Sequence, residues 1–173
     1  MRLLYSRRNS LTSTGCATIK DEHGQIIYLI TGKWGKAHDV LSIYSIHDEL
    51  LAQVKQKSFG IFPRFDLYVK NQHVGSLRRY YGVGHEMLFV KGLNWFIIGN
   101  IFNFNYKIYH GRNCIMSISE IQLTKGQGLE FAIANYSDEP LCLCIAAILD
   151  HFTQKNLKQK QRHLTQQHSS AWT

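Results

Sequence analysis

Histidine, cysteine and acidic side chains supply most catalytic and metal-binding chemistry, and this chain contains nine histidines, four cysteines and twelve acidic residues. Their spacing is not typical of a metal site, because neither HExxH nor CxxC occurs in the sequence. Histidine precedes an acidic residue at 38–39, 47–48 and 85–86. Neighbours on a strand face opposite sides of a sheet, so these pairs cannot act directly as acid/base couples. We therefore expect a protein that is not an enzyme, with no catalytic residue, metal or cofactor.

The glycines and cysteines give no stronger chemical signal. The segments TGKWGKAHD (31–39) and YYGVGHE (80–86) lack the spacing of a phosphate-binding loop or a dinucleotide fingerprint, and we interpret their glycines as turn or bulge residues. Cys16 and Cys114 have no base nearby in the sequence and are predicted to be buried rather than nucleophilic. Cys142 and Cys144 lie in an apolar run, which predicts small buried side chains.

The basic residues are a better functional signal. Lys55 and Lys57 are two positions apart, so on a strand they project from the same face. The corresponding place in the next hairpin holds Arg78 and Arg79, and Arg64 lies on the connection between the two hairpins. Because consecutive hairpins are usually neighbours in space, these five residues form a candidate binding site for a lipid headgroup or another anion. The alternative is an ordinary solvated outer face.

Composition bounds the partner and the compartment. The formal charge of +8 and the pI near 9.4 favour a polyanion, either nucleic acid or an anionic membrane surface. Dispersed Lys and Arg could equally serve solubility alone. The opening MRLLYSRRNS has no apolar stretch of signal-peptide length, so we expect a cytoplasmic protein with reduced cysteines.

The first 135 or so residues alternate between apolar and polar side chains with a period of two, which predicts β-strands. Turn signals separate the strands at 21–24, 47–49, 70–73, 110–113 and 125–128. About twelve strands are predicted, near 2–7, 15–20, 25–34, 40–46, 50–59, 64–70, 73–80, 85–91, 94–101, 105–110, 114–121 and 128–135.

An internal repeat underlies these hairpins. The pairs Ile43-Tyr44, Leu67-Tyr68 and Ile108-Tyr109 each precede a turn that leads into a similar short pattern. A longer similarity relates YLITGKW (28–34) to WFIIGNI (95–101): in each segment a glycine follows four residues after the first aromatic residue. The repeat predicts one strand-turn-strand unit used several times around a common core.

The segment EPLCLCIAAILDHF (139–152) contains nine consecutive apolar residues, Leu141 to Leu149. Ser137 or Asp138 is predicted to cap a helix here, with Pro140 in its first turn. A helix that is apolar on all sides must be enclosed, and nine residues are far fewer than the roughly 20 of a membrane span. We therefore predict a core helix and no transmembrane span.

Together these elements predict a mainly β (α+β) fold, a closed antiparallel β-barrel of about twelve strands that encloses one hydrophobic C-terminal helix. The barrel with its helix occupies 1–152. Residues 153–173 form a basic, polar tail, and we expect a helical extension that frays into disorder past about residue 160; a basic arm that binds a membrane or a partner is the alternative.

The sequence also resembles the LURP-one-related family, in the tubby C-terminal-like superfamily that includes phospholipid scramblases. The resemblance covers about residues 1–152 and rests on RLLYSRR, VKQKSFGIFPRFDLYV (54–69), GLNWFIIGNIFNFNYKIY (92–109) and ISEIQLTKGQGLEFAI (118–133). It implies a twelve-stranded barrel around a central helix. Tubby-type members bind phosphoinositides through basic residues on the outer face, but no tubby lipid-binding motif matches here residue by residue, so the resemblance assigns no site.

The leading functional hypothesis is a non-enzymatic cytoplasmic binding module, peripheral to a membrane, that binds acidic phospholipid headgroups or a protein partner on the barrel surface. Nucleic-acid binding or a regulatory role through the same basic surface is the alternative. An enzyme with a ligand in the barrel mouth ranks third, because the helix is expected to fill the lumen.

Overall fold

The computed structural model describes residues 1–8, 10–11, 15–32, 38–58, 64–81, 86–124 and 126–169. At residues 15, 79–81, 86 and 155–169 it describes the backbone alone. The glycine segments at 31–39 and 80–86 therefore lie partly outside the described residues, and His85 lies wholly outside them. Arg79 is described by its backbone alone.

Twelve strands form a closed antiparallel barrel, as the alternation predicts. Each strand pairs with its neighbours in sequence, and β1 pairs with β12 to close the wall. The strands are β1 Arg2–Arg7, β2 Gly15–Asp21, β3 Ile26–Gly32, β4 Val40–Ser45, β5 Leu50–Gln56, β6 Phe65–Val69, β7 Gln72–Tyr81, β8 Glu86–Lys91, β9 Trp95–Asn100, β10 Asn105–His110, β11 Asn113–Leu123 and β12 Gly126–Ile133.

The internal repeat corresponds to a repeated irregularity in the wall. The strand register shifts between Ile43 and Tyr44, between Leu67 and Tyr68, and between Ile108 and Tyr109. An extra residue at each of these steps bends the strand and increases its twist, which helps the sheet to curve into a barrel. The Ile/Leu-Tyr pairs that the sequence singles out therefore lie opposite the bulges of three hairpins, and the extra residues on the following strands are Leu51, Val74 and Ile115.

The glycines of the two similar segments, 28–34 and 95–101, have nearly the same backbone conformation. Gly32 and Gly99 have φ angles of 137° and 131°, which side chains rarely adopt. A Cβ at Gly99 would lie 2.5 Å from the Asn105 carbonyl oxygen across the β9–β10 pair, and a Cβ at Gly32 would collide with the Val40 carbonyl in the same way. Only glycine fits at either site without strain.

The C-terminal helix α1, Glu139–Ser169, follows a short 3₁₀ turn at Tyr136–Asp138. Every side chain from Leu141 to Leu149 is buried, and Ile145 and Leu149 are fully inaccessible to solvent. The apolar residues of the strands face the same core. The predicted enclosed helix is confirmed. Burial of each large aliphatic side chain contributes about 1.5–3 kcal/mol, so this segment is a major source of stability.

The start of α1 differs from the prediction. Ser137 and Asp138 belong to the 3₁₀ turn, and within the described residues neither caps the helix; the Asp138 carboxylate instead accepts a hydrogen bond from Asn135 Nδ2 at 3.0 Å. The buried Glu139 side chain anchors the first turn by accepting hydrogen bonds from Tyr28 Oη at 2.6 Å and Arg2 Nη1 at 3.3 Å. A carboxylate at this end also complements the helix dipole.

The end of α1 differs as well. Its backbone continues to Ser169, past the predicted limit near residue 160. Lys, Gln, Arg and Leu dominate this stretch and have high helix propensity, so a helix needs no apolar stripe there. Among the described residues, no helix has both the length and the hydropathy needed to cross a membrane.

The cysteines divide into two classes. Cys142 and Cys144 are buried as predicted, and burial raises the pKa of both thiols. Cys16 and Cys114 are exposed, so their predicted burial is wrong. On β2 the inward positions belong to Ala17 and its alternate neighbours, which leaves Cys16 on the outer face.

Candidate anion-binding face

Four of the five predicted basic residues lie on the outer face of three adjacent strands, β5, β6 and β7, or directly beside their ends: Lys55, Lys57, Arg64 and Arg78. On β5, Val54 and Gln56 are buried, so the alternate residues Lys55 and Lys57 face outward. Lys57 follows the last residue of β5 and is exposed, whereas Lys55 is half-buried. The expectation that both lysines share one face is therefore met.

Strand register brings three of the predicted residues to neighbouring positions. The Lys57 backbone N–H donates to the Arg64 carbonyl at 2.9 Å, which links the end of β5 to the start of β6. Phe65 of β6 pairs with Leu77 of β7, so Arg64 and Arg78 occupy the next step of that register. We call Lys57, Arg64 and Arg78 the basic row. The fifth predicted residue, Arg79, pairs through its backbone with Leu88 of β8.

A buried carboxylate reduces the charge of this face. Arg64 donates from Nε to Asp66 Oδ1 at 2.9 Å and from Nη2 to Oδ2 at 3.4 Å, and Ser76 Oγ donates to Asp66 Oδ1 at 2.6 Å. Burial by itself raises the pKa of Asp66, but these hydrogen bonds and the charges of Arg64 and His73 outweigh it and lower the pKa. Asp66 is therefore a fixed anion that orients Arg64.

Lys57 and Arg78 remain available to an external anion. Within the described residues neither makes an ion pair. Arg78 Nε is buried and has no hydrogen-bond partner there. Lys55 is engaged differently, since its Nζ lies 4.5 Å from the centre of the Tyr68 ring in a cation–π contact. The free positive charge of the face is thus concentrated at Lys57 and Arg78.

Ser76, His73 and Asp66 contain the residue types of a hydrolytic triad but not its geometry. The Ser76 hydroxyl donates a hydrogen bond to Asp66 Oδ1. His73 Nε2 lies 3.3 Å from Ser76 Oγ and 3.8 Å from Asp66 Oδ1. In a triad the carboxylate orients the histidine through its other nitrogen, and the histidine takes the serine proton. Here one histidine nitrogen faces both partners, and Ser76 is buried. The cluster stabilises the wall and holds Arg64.

Sequence reasoning missed Asp66, Ser76 and His73. Asp66 and Ser76 are directly opposite each other on β6 and β7, which only the pairing register reveals. The signal that could have found Asp66 was an acidic residue two positions from Arg64, on the same face of a strand. Across the described residues, His, Cys, Asp and Glu nowhere cluster in threes that could hold a metal ion.

The family model described as LURP-one-related matches residues 2–150 of the chain. The chain belongs to the LURP-one-related family. The matched span covers the whole barrel and the apolar part of α1, as the sequence resemblance indicates, and leaves most of the basic helical extension outside.

Two known proteins are similar to this chain, one in sequence and one in fold. The uncharacterised protein YxjI of Bacillus subtilis is 23% identical over 147 residues, which cover 85% of this chain and 91% of YxjI. A protein of Arabidopsis thaliana solved by X-ray crystallography matches with a TM-score of 0.59 at 13% identity, over 87% of this chain and 91% of that one. At this identity the structural likeness concerns the fold alone.

Proposed function

We propose that this LURP-one-related protein is a cytoplasmic, non-enzymatic binding module that docks acidic phospholipid headgroups on the outer face of β5–β7. The observation that carries the proposal is the basic row, where register sets Lys57, Arg64 and Arg78 side by side on three strands. Lys57 and Arg78 have no acidic partner among the described residues, so a lipid phosphate can supply one.

The inner side of the barrel supports binding on the surface rather than in the lumen. Leu141 to Leu149 fill the interior together with the inward residues of the strands. A ligand in the lumen would have to displace this core. A basic outer face needs no such rearrangement and is attracted by the negative potential of an anionic leaflet.

Vesicle co-sedimentation of the full chain tests the proposal. We expect binding to phosphatidylcholine vesicles that contain phosphatidylserine and little binding to phosphatidylcholine alone. Lys57→Glu should weaken the binding about fivefold or more, since each basic residue near such a surface contributes about 1 kcal/mol. Lys20→Glu is the matched control, because Lys20 is exposed on β2, five strands away from β7.

Three results would contradict lipid docking at this face. They are equal binding to both kinds of vesicle, an equal loss with Lys20→Glu, and no loss with Lys57→Glu. Tight binding of RNA or DNA at near-physiological salt, with affinity that falls steeply as salt rises, would instead favour the nucleic-acid alternative.

A further inference from the structure

An apolar patch lies on the outer face of β8 and β9, next to the basic row. Met87 and Ile98 are 46% and 57% exposed, and Phe89 and Phe96 are half-buried. Leu88 and Ile97, which alternate with these four residues along the strands, are buried. The four side chains therefore point outward. We call Met87, Phe89, Phe96 and Ile98 the apolar quartet.

Strand pairing makes the quartet one contiguous surface. Phe89 pairs directly with Phe96, and their ring centres are 4.8 Å apart. Leu88 pairs with Ile97, so Met87 and Ile98 occupy the next step of the same register. Single exposed apolar residues are ordinary, but a contiguous group on one sheet face marks an interaction site.

Cations border the quartet on three sides. Arg78 of β7 pairs with Phe89, and Lys107 of β10 pairs with Ile98. Lys91 is exposed two residues beyond Phe89 on the same face of β8. Of the described side chains at the bordering register positions, none is acidic. Apolar side chains with a basic border match the chemistry of an anionic bilayer, with acyl chains below a layer of phosphates.

We propose that the apolar quartet enters the interfacial region of an anionic bilayer while Arg78 and Lys107 contact headgroups on either side of it; this rests on the proposed lipid-binding function. The barrel wall curves away from a flat membrane, so side chains at the centre of a contact penetrate deepest. Interfacial elements bury their apolar face about 5–10 Å into the headgroup and acyl boundary. At that depth the flanking strands β7 and β10 reach the headgroups.

A second copy of the chain fits this surface less well than a bilayer does. In a two-fold dimer the same patch faces itself, so the bordering cations Arg78, Lys91 and Lys107 would approach those of the partner. Like charges brought together across an interface oppose association. An anionic lipid surface instead offers charge complementarity around the whole border.

The test compares vesicle binding of the full chain with that of Met87→Ser/Ile98→Ser. Both side chains are exposed, so the variant should fold, and circular dichroism checks this. We expect the variant to retain its preference for phosphatidylserine but to bind about tenfold more weakly in moderate salt, where electrostatic attraction is screened. Ile46→Ser is the matched control, since Ile46 is 55% exposed in the turn between β4 and β5.

Depth measurement provides an independent readout. An environment-sensitive fluorophore is attached to Ile98→Cys in a Cys16→Ser/Cys114→Ser background, because those two native thiols are exposed. Spin-labelled acyl chains should quench the probe at 98 and leave a probe at Ile46→Cys unquenched.

The outcomes separate this inference from the function on which it rests. If the native chain does not prefer phosphatidylserine vesicles, the proposed function fails. If it does prefer them but the quartet variant binds equally well and the probe at 98 is not quenched, the inference alone fails. A lipid-free dimer that Ile98→Ser abolishes, seen by sedimentation, would also overturn it in favour of self-association.

Discussion

Both faces of β8 and β9 contain large apolar side chains, but the two faces differ in burial. Leu88, Val90 and Ile97 point into the barrel and are buried, whereas Met87 and Ile98 on the other face are open to solvent. Hydrophobicity alone therefore does not decide burial in this wall. The inner face is covered by the rest of the chain, whereas the outer face is the surface that we propose enters a bilayer.

The largest expected effect comes from a charge placed in the helix that fills the interior. Ile145→Asp puts a carboxylate at a fully buried position within the apolar core. The free energy of unfolding of a typical domain is about 5–15 kcal/mol. The desolvation of a buried carboxylate, together with the lost packing of Ile145, is expected to exceed it. We expect no cooperative urea transition by circular dichroism. A native-like transition would mean that the helix is not enclosed.

Adjacent residues on β9 give the sharpest test of the contrast between the two faces. Ile97 is 2% exposed and Ile98 is 57% exposed. Ile97→Ala should lower the free energy of unfolding by about 2–4 kcal/mol, and Ile98→Ala should change it by less than about 0.5 kcal/mol. Urea denaturation measures both. Equal losses would show that the outer face is also covered within the chain.

Substitution of a glycine is expected to cost more stability in the barrel wall than in a turn. Gly99→Ala introduces a Cβ 2.5 Å from a backbone carbonyl oxygen at φ 131°, and should destabilise the fold by about 2–3 kcal/mol. Gly111→Ala has a φ of 59° but no atom within 4 Å, so about 1 kcal/mol is expected. Thermal unfolding of the two variants should rank them in this order; the reverse order would argue against the tight β9–β10 approach.

The smallest effect concerns the carboxylate beneath the basic row. The pKa of Asp66 is lowered in the folded state, so its stabilisation is present above the unfolded pKa of about 3.9 and is lost as the pH falls through the folded pKa. Asp66→Asn should cost about 1–2 kcal/mol at neutral pH and flatten the acid limb of the stability curve. The comparison is made by urea denaturation from pH 7 to pH 3. A variant with an unchanged acid limb would contradict the Asp66 network.

The inner face was largely predictable because it obeys one pattern. Period-two alternation located the twelve strands, and the nine-residue apolar run located the enclosed part of α1. The repeated Ile/Leu-Tyr pairs even marked the bulges, although their role as register shifts needed the paired strands to be seen.

The outer face was less predictable because its contacts join different strands. The Asp66–Ser76 bond depends on the β6–β7 register, and the basic border of the quartet depends on Lys107 lying opposite Ile98. Exposure of Cys16 likewise depended on which alternate residues of β2 point inward. Spacing within one strand shows that side chains share a face, but it does not show what lies beside them.

Lysine footprinting by mass spectrometry tests most directly whether the outer face of β5–β10 is the docking surface. The native chain is acetylated with and without phosphatidylserine-containing vesicles. We predict that modification of Lys57, Lys91 and Lys107 falls several-fold when vesicles are present, while modification of the exposed Lys20 on β2 does not change. Protection of Lys20, or equal modification of all four lysines in both conditions, would contradict docking through this face.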